Sequence, residues 1–516
     1  MAIIDLERFV QRQEPVSIRF PDASTCGRAL GPIVFLAILL GPTPAGLTDA
    51  AQRVLAVAGL MVVWWITEAF PIPMTSLLPL ILFPWLGVLS TRDAAAPYAD
   101  KNIFLFLGGF LIALAMQRWN LHRRIALRLI LIIGSSPLRI IGGFMVATGF
   151  LSMWISNTAT TMMMLPIGLA VSSHMGIERK RIGAPLMLAI AYAASAGGLA
   201  TLVGTPPNLV LKGGMEKLYP SAPELSFVQW MTMGIPITLI MGFAIFFIIV
   251  MLYGLHKLPQ NAGSSRESLR GELTRLGPLN RGERWTLLVF IMTAVAWITR
   301  QGIDFGTFRI PGWGDVIPGH LADDSTVAMT GGLLLFILPV NTKERRFVLE
   351  WSDTSGIPFG VLFLFGGGFC LAHGFRSSGL SEWLTSHLDV LANAPHLVAV
   401  LTIALTTTFL TELTSNTATA SLLVPLLGSL AVALRIHPLL LLLPATFSAS
   451  CAFMLPVATP PNAVVFGSGL LSIREMARTG LILNLIGVIV VTATVLILGP
   501  IALGVDFTTL PSWVAG

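Results

Sequence analysis

Eleven stretches of about 20 mostly apolar residues run through the chain: 29–47, 52–70, 73–90, 102–118, 183–214, 226–254, 285–300, 325–341, 356–374, 438–468 and 479–503. A helix of that length crosses the hydrocarbon of a bilayer. Inside lipid every backbone N–H and C=O must find a partner within the protein, so each run is read as a spanning helix. Composition agrees. Of 516 residues, 54% are apolar and 11% charged, against about 25% charged in a soluble domain, and the mean hydropathy is +0.80. A disordered chain, a fibrous protein and an ordinary soluble enzyme are excluded.

Two further apolar regions, 129–173 and 386–433, are too long for one span and hold a polar cluster well inside. Each is a pair of spans or a hairpin that returns to its own side. The placement of basic residues supports both forms over a single span. With the N-terminus inside, Arg118, Arg123, Arg124, Arg128, Arg179, Lys180, Arg181, the basic residues of 255–284, Lys343, Arg345, Arg346, Arg474 and Arg478 all fall inside. The outside loops are poorer in basic residues and several carry Asp (Asp49, Asp93, Asp100, Asp304, Asp315, Asp323 and Asp324), with 301–323 a loop rich in Gly, Pro and Asp among them. An odd number of spans places the C-terminus outside.

Residues 1–28 mix acids and bases, unlike a signal peptide, and are expected to form a cytoplasmic tail. Cys26, Cys370 and Cys451 are odd in number and far apart, which suggests neither a disulfide framework nor a cysteine metal site. The scattered basic residues give no continuous surface for nucleic acid.

The chain also repeats itself. FLFLGGF from Phe104 returns as FLFGGGF from Phe363, and SNTAT from Ser156 returns from Ser415, both 259 residues on (363 − 104 and 415 − 156). GTPPN from Gly204 returns as ATPPN from Ala458, 254 residues on, so the second copy is five residues shorter there. The span at 102–118 is the fourth and that at 356–374 the ninth, so the copies run in opposite directions. Inverted repeats are a common build for secondary transporters. The expected organisation is a tail over 1–28, spans over 29–128, a hairpin with a broken and a following helix over 129–254, an inside loop over 255–284, spans over 285–385, a second hairpin with its broken and following helix over 386–503, and an outside tail over 504–516.

Each SNTAT motif sets hydroxyls and an amide inside an apolar segment: Ser156, Asn157 and Thr158, then Ser415, Asn416 and Thr417. Ser152 and Thr411 lie four residues upstream and are expected one helical turn away on the same face. Polar groups cost several kcal/mol each if left unpaired in lipid, so these clusters face protein, water or a ligand. The double prolines push Thr205 and Thr459 into extended geometry and break their helices there. A broken helix offers carbonyls to a cation and N–H groups to an anion. Neither SNTAT motif holds a charge, and Glu412 is the nearest acid to the second. A bound anion is then neutralised by helix N-termini, hydroxyls and co-bound cations, and Na⁺ suits the oxygen ligands on offer. Cation-coupled anion uptake follows. Glu68, His373 and Arg376 read as interfacial or solvated, and the motifs of common enzyme classes are missing.

WWITEAFPIPMTSLLPLILFPWLGVL (64–89), FLFLGGFLIALAMQRWNLHRRIAL (104–127), LSMWISNTATTMMMLPI (151–167) and the paired TPPN motifs resemble the divalent anion/sodium symporter (DASS) family over about 29–503. The resemblance implies an all-α polytopic membrane protein with 11 transmembrane helices and two re-entrant hairpins, paired as a homodimer. It also implies an elevator mechanism, in which a transport domain slides against a scaffold domain that holds the dimer. It further implies a bacterial inner-membrane symporter of Na⁺ with C4-dicarboxylates such as succinate, malate and fumarate, citrate or sulfate being carried by relatives and some relatives being Na⁺-independent exchangers. Carried over by motif, Ser152, Ser156, Asn157 and Gly204 form one Na⁺ site. Thr411, Ser415, Asn416 and Ala458 form the other, with Thr411 where a Ser is common. Substrate carboxylates meet Ser156, Asn157, Thr158, Ser415, Asn416 and Thr417, with Thr205, Pro206, Thr459 and Pro460 alongside.

Overall fold

Prolines and polar turns decide where the apolar runs stop. The computed structural model describes residues 23–134, 136–174, 179–258, 265–304, 309–317, 322–387, 395–514; most of the expected tail, 1–22, lies outside them, as do parts of the loops at 255–284 and 301–323. The first half opens with α1 (Ala23–Leu40), α2 (Asp49–Thr67), the short α3 (Ile72–Thr75) and α4 (Leu78–Trp85). α5 (Lys101–Arg118) and α6 (Leu121–Ile133) lead to α7 (Pro137–Ser152) and α8 (Asn157–His174). α9 (Arg179–Gly198), α10 (Pro206–Leu218) and α11 (Phe227–Leu252) complete it. α12 (Ser265–Arg275) lies in the connecting loop. The second half holds α13 (Arg281–Arg300), α14 (Asp324–Ile337), α15 (Phe359–Ser377), α16 (Leu380–His387), α17 (His396–Thr411), α18 (Asn416–Ala433), α19 (Leu439–Ala449), α20 (Pro460–Phe466) and α21 (Ile473–Leu503). Two small ladders, Ile303–Asp304 with Arg309–Ile310 and Pro339–Asn341 with Arg346–Phe347, are the strands of the described residues.

Among the described residues, seven helical stretches are long and apolar enough to cross a membrane. Six of them fall on the eleven runs and the seventh is α18, in the 386–433 region; of the remaining runs, 285–300 lies in the unbroken but more charged α13, and the others are shorter or interrupted. The 325–341 run stops at Ile337 because Pro339 starts a strand, and 73–90 splits at the Ser76–Leu77 corner. The first helix begins at Ala23, inside the expected tail, where Arg28 donates to the carbonyl of Ala69. Residues 119–128, expected as an inside loop, are mostly helix. In α6 the apolar Leu121, Ala126, Leu127 and Ile130 are buried on one face. Buried Arg124 on that helix pairs with Glu283. The basic residues there hid a helical period.

The repeat is visible in the backbone. α17 and α18 begin and end 259 residues after α7 and α8 (396 − 137, 411 − 152, 416 − 157, 433 − 174). Both corners before α6 and α16 are left-handed, Asn120 at φ 56° and Gly379 at φ 79°. The glycines of the first motif allow close helix contacts. A Cβ on Gly108 would meet the Ala328 backbone carbon of α14 at 2.4 Å, and one on its counterpart Gly367 would meet Ser76 O at 2.2 Å.

Candidate functional site

The turn between α7 and α8 carries Met153–Ser156, and that between α17 and α18 carries Glu412–Ser415. Ser152 and Ser156 are therefore not on one helix, as the i, i+4 spacing suggested; α7 ends at Ser152 and α8 starts at Asn157. The hydroxyl instead spans the turn. Ser152 Oγ lies 2.7 Å from Asn157 Oδ1 and 2.7 Å from the carbonyl of Ala194 on α9. The second half copies this: Thr411 Oγ1 lies 2.7 Å from Asn416 Oδ1 and 2.8 Å from the carbonyl of Ala449 on α19. In each triad one hydroxyl proton faces two acceptor oxygens. Thr411 keeps the hydroxyl that Ser152 supplies, and its extra methyl is buried.

The broken helices supply the other wall. Thr205 (φ −145°, ψ 144°) and Thr459 (φ −140°, ψ 147°) are extended as expected, and the prolines open α10 and α20 rather than kinking a continuous helix. The breaks cover 199–205 and 450–459. Each TPPN asparagine braces its break: Asn208 donates to the carbonyls of Gly198 (3.0 Å) and Thr201 (2.7 Å), and Asn462 to those of Ala452 (3.2 Å) and Leu455 (3.0 Å). Their Oδ1 atoms are buried without a hydrogen-bond partner, as are Ser195 Oγ and Ser450 Oγ. The first half needs glycine here. A Cβ on Gly198 would lie 2.6 Å from Asn157 Oδ1, and one on Gly204 would lie 2.4 Å from Gly198 O. Gly204 and Asn157 are thus both packed on Gly198. Ala458 stands where Gly204 does, so the second break has room for a methyl.

Each hairpin packs on its own broken helix and on the far half of the other one. α7 and α8 lie against α9, and α8 also against α20; α17 and α18 lie against α19, and α18 also against α10. This exchange gathers both SNTAT tips and both TPPN breaks into one block. Ser156 Oγ accepts from the N–H of Ala159. Thr158 and Thr417 sit in the first turns of α8 and α18, and Pro206 and Pro460 open the helices across from them. No Lys or Arg occurs in 140–173 or 397–434. Among the described residues, no group of three or more His, Cys, Asp or Glu is placed to hold a metal ion. Any cation held here meets hydroxyl, amide and carbonyl oxygens.

Two features escaped the sequence reading. Glu412, noted only as the nearest acid, is buried and accepts from the N–H groups of Phe453 (2.7 Å), Met454 (2.8 Å) and Leu455 (3.0 Å) and from Asn484 Nδ2 (2.7 Å). Its partners lie more than 40 residues on, beyond any local signal. The other is a charge network at the far end of α10. Buried Lys212 lies 3.1 Å from Asp324 on α14 and 3.0 Å from Glu224, and Arg300 of α13 reaches the same two acids. Lys217 pairs with Asp100, and Lys101 with Glu216. The outside-loop acids of the sequence reading are thereby partly structural.

The family described as "Sodium:sulfate symporter transmembrane region" matches residues 24–503. The chain belongs to this symporter family. It is 43% identical over 492 residues to the sodium-dependent dicarboxylate transporter SdcS of Staphylococcus saprophyticus, covering 93% of this chain and 92% of that one. It is 42% identical over 500 residues to SdcS of Staphylococcus aureus, covering 94% and 93%. Among solved structures, the YdaH transporter of Alcanivorax borkumensis superposes with a TM-score of 0.51 at 15% identity, covering 94% of this chain and 99% of that one. That likeness extends the fold, and nothing more, across nearly the whole symporter chain.

Proposed function

We propose that this symporter-family chain carries C4-dicarboxylates such as succinate, malate and fumarate into the cell together with Na⁺. The observation that carries the reading is the doubled oxygen triad. Ser152 Oγ, Asn157 Oδ1 and the Ala194 carbonyl, and Thr411 Oγ1, Asn416 Oδ1 and the Ala449 carbonyl, each set three oxygens around one hydroxyl proton, a surplus of acceptors. Two cations, one per triad, would relieve that surplus. Ser152, Ser156, Asn157 and Gly204 would ligate one, and Thr411, Ser415, Asn416 and Ala458 the other. A dianion would sit between them against Ser156, Asn157, Thr158, Ser415, Asn416 and Thr417, with Thr205, Pro206, Thr459 and Pro460 closing the walls. Two bound Na⁺ would balance its charge where no Lys or Arg does. The names of the SdcS relatives support the same pairing of ion and substrate.

We further read the chain as a homodimer in a bacterial inner membrane, with 11 spans, the two hairpins re-entrant, the N-terminus cytoplasmic and the C-terminus outside. The block of hairpins and broken helices would move as the elevator, and α5, α14 and α15 belong to the fixed part.

Uptake of labelled succinate into proteoliposomes tests this, with an inward Na⁺ gradient against matched K⁺ and with succinate loaded inside or absent. Na⁺-dependent uptake into empty vesicles is expected. Uptake indifferent to Na⁺ but dependent on internal succinate would make the chain an exchanger, and no succinate transport would turn the assay to sulfate and citrate.

A further inference from the structure

The two halves clamp hairpin tip to broken helix at equivalent positions with opposite chemistry. In the first half Thr201 Oγ1 donates to the carbonyl of Met153, 2.5 Å away. In the second, Leu455 donates its N–H to the carboxylate of Glu412, 3.0 Å away. Glu412 lies 259 residues after Met153, and Leu455 lies 254 residues after Thr201, the two offsets of the repeat. The same two positions are therefore joined in both halves. Only the second clamp carries a charge.

The two breaks also differ in length. In the first half α9 continues to Gly198, whereas α19 stops at Ala449 and residues 450–452 are unwound. Unwinding frees the N–H groups of Phe453, Met454 and Leu455, which converge on Glu412. Asn462 holds the same segment through the carbonyls of Ala452 and Leu455. The segment is thus fixed from its N–H side by the acid and from its carbonyl side by the amide. Asn484, which also accepts from the Phe453 N–H, donates the fourth bond to the carboxylate. Among the described residues no Lys, Arg or His pairs with Glu412, so neutral dipoles alone hold it. A carboxylate so placed leaves a negative field at Thr411, its chain neighbour, and at Asn416, which Thr411 touches. Buried charges act over several ångströms with little screening.

Resting on the two-site reading above, we propose that Glu412 is a positioning residue that makes the second cation site the tighter of the two and the first to fill. The first site, with Met153 in the equivalent place, has no such charge and fills at higher Na⁺.

Purified full-length protein in detergent tests this by thermal unfolding across an Na⁺ titration, with choline holding ionic strength constant. Wild type should show two stabilising steps separated by about tenfold or more in Na⁺. E412Q, close in shape and uncharged, should raise the tighter half-saturation by at least about tenfold. E412D, shorter but charged, should stay within about threefold of wild type. A purely structural role predicts the reverse order, because Gln has the length of Glu and its one oxygen can still accept from Phe453 and Met454, giving up only the Leu455 bond, whereas the shorter Asp falls away from all three N–H groups; E412Q at or below E412D in half-saturation would overturn the proposal. S152A and T411V provide a test that does not need E412Q to fold. S152A should abolish the weaker step and spare the tighter one, and T411V the converse; the opposite assignment would also overturn it. A wild type unresponsive to Na⁺ would remove the two-site reading itself, whereas a responsive wild type with unchanged E412Q removes only this inference.

Discussion

The two halves agree in what they hold and differ in how they hold it. Both put a hydroxyl between a tip asparagine and a broken-helix carbonyl at 2.7–2.8 Å. Both brace the break with the TPPN asparagine. The bracing beyond that is unlike. The first break is short and packed on glycine, with Gly198 against Asn157 and Gly204 against Gly198. The second is longer and tied to Glu412 and Asn484. Charge is distributed unequally as well: α10 carries Lys212 into a buried network with Asp324, while the seven residues of α20 carry none. The lesson is that the repeat constrains the hydroxyl and amide groups at the two tips, while each half finds its own way to support them.

The largest test of the shared part is Asn157→Ala beside Asn416→Ala. Each should reduce uptake by about a hundredfold or more, with the protein still folded, because in the proposed site each amide would meet both cation and substrate. Proteoliposome uptake with size-exclusion profiles checks this. Normal uptake by both would end the site assignment, and loss in only one would show that the halves are not functionally equivalent.

The next effect is on the unshared part. Lys212→Met leaves Asp324 buried with Arg300 as its remaining cation. Breaking a buried pair from one side costs about 3–5 kcal/mol, so the variant should unfold at clearly lower temperature in detergent. A melting curve like wild type would mean that the network has little weight in the first half.

Gly108→Ala and Gly367→Ala probe packing at equivalent positions. A methyl at either would press on backbone atoms of α14 or of the Ser76 corner, and overpacking costs about 1–3 kcal/mol. Similar losses in thermal stability would sharpen the symmetry of this packing; a loss in one alone would break it.

The smallest effect belongs to the corners before α6 and α16. Gly379→Ala places a Cβ at φ 79° and should cost about 1 kcal/mol, whereas Asn120→Gly, at φ 56°, should be neutral or slightly stabilising. Equilibrium unfolding of the pair reads the difference.

Much of this was legible because it is local. The paired SNTAT words marked both tips, and the double prolines marked both breaks and the extended threonines before them. Spacing puts Ser152 and Ser156 on one helix, because it does not reveal a helix that stops and restarts. The arginines of α6 mask its apolar face, so its residues look like a loop in sequence. Glu412 and Lys212 were beyond reach for another reason: their partners, Leu455 and Asp324, lie 43 and 112 residues away.

The sequence by itself determined that the chain is rich in membrane-length apolar helices, that its motifs are doubled, and which short motifs interrupt the apolar runs, because hydropathy, proline and repetition act over a few residues. Only the tertiary structure decided which half-helix each hairpin packs against, that a single hydroxyl proton is shared by two acceptors in each triad, and that one clamp is charged and the other neutral. Those outcomes depend on groups far apart in the chain coming within 3 Å of one another, and no local pattern specifies that distance.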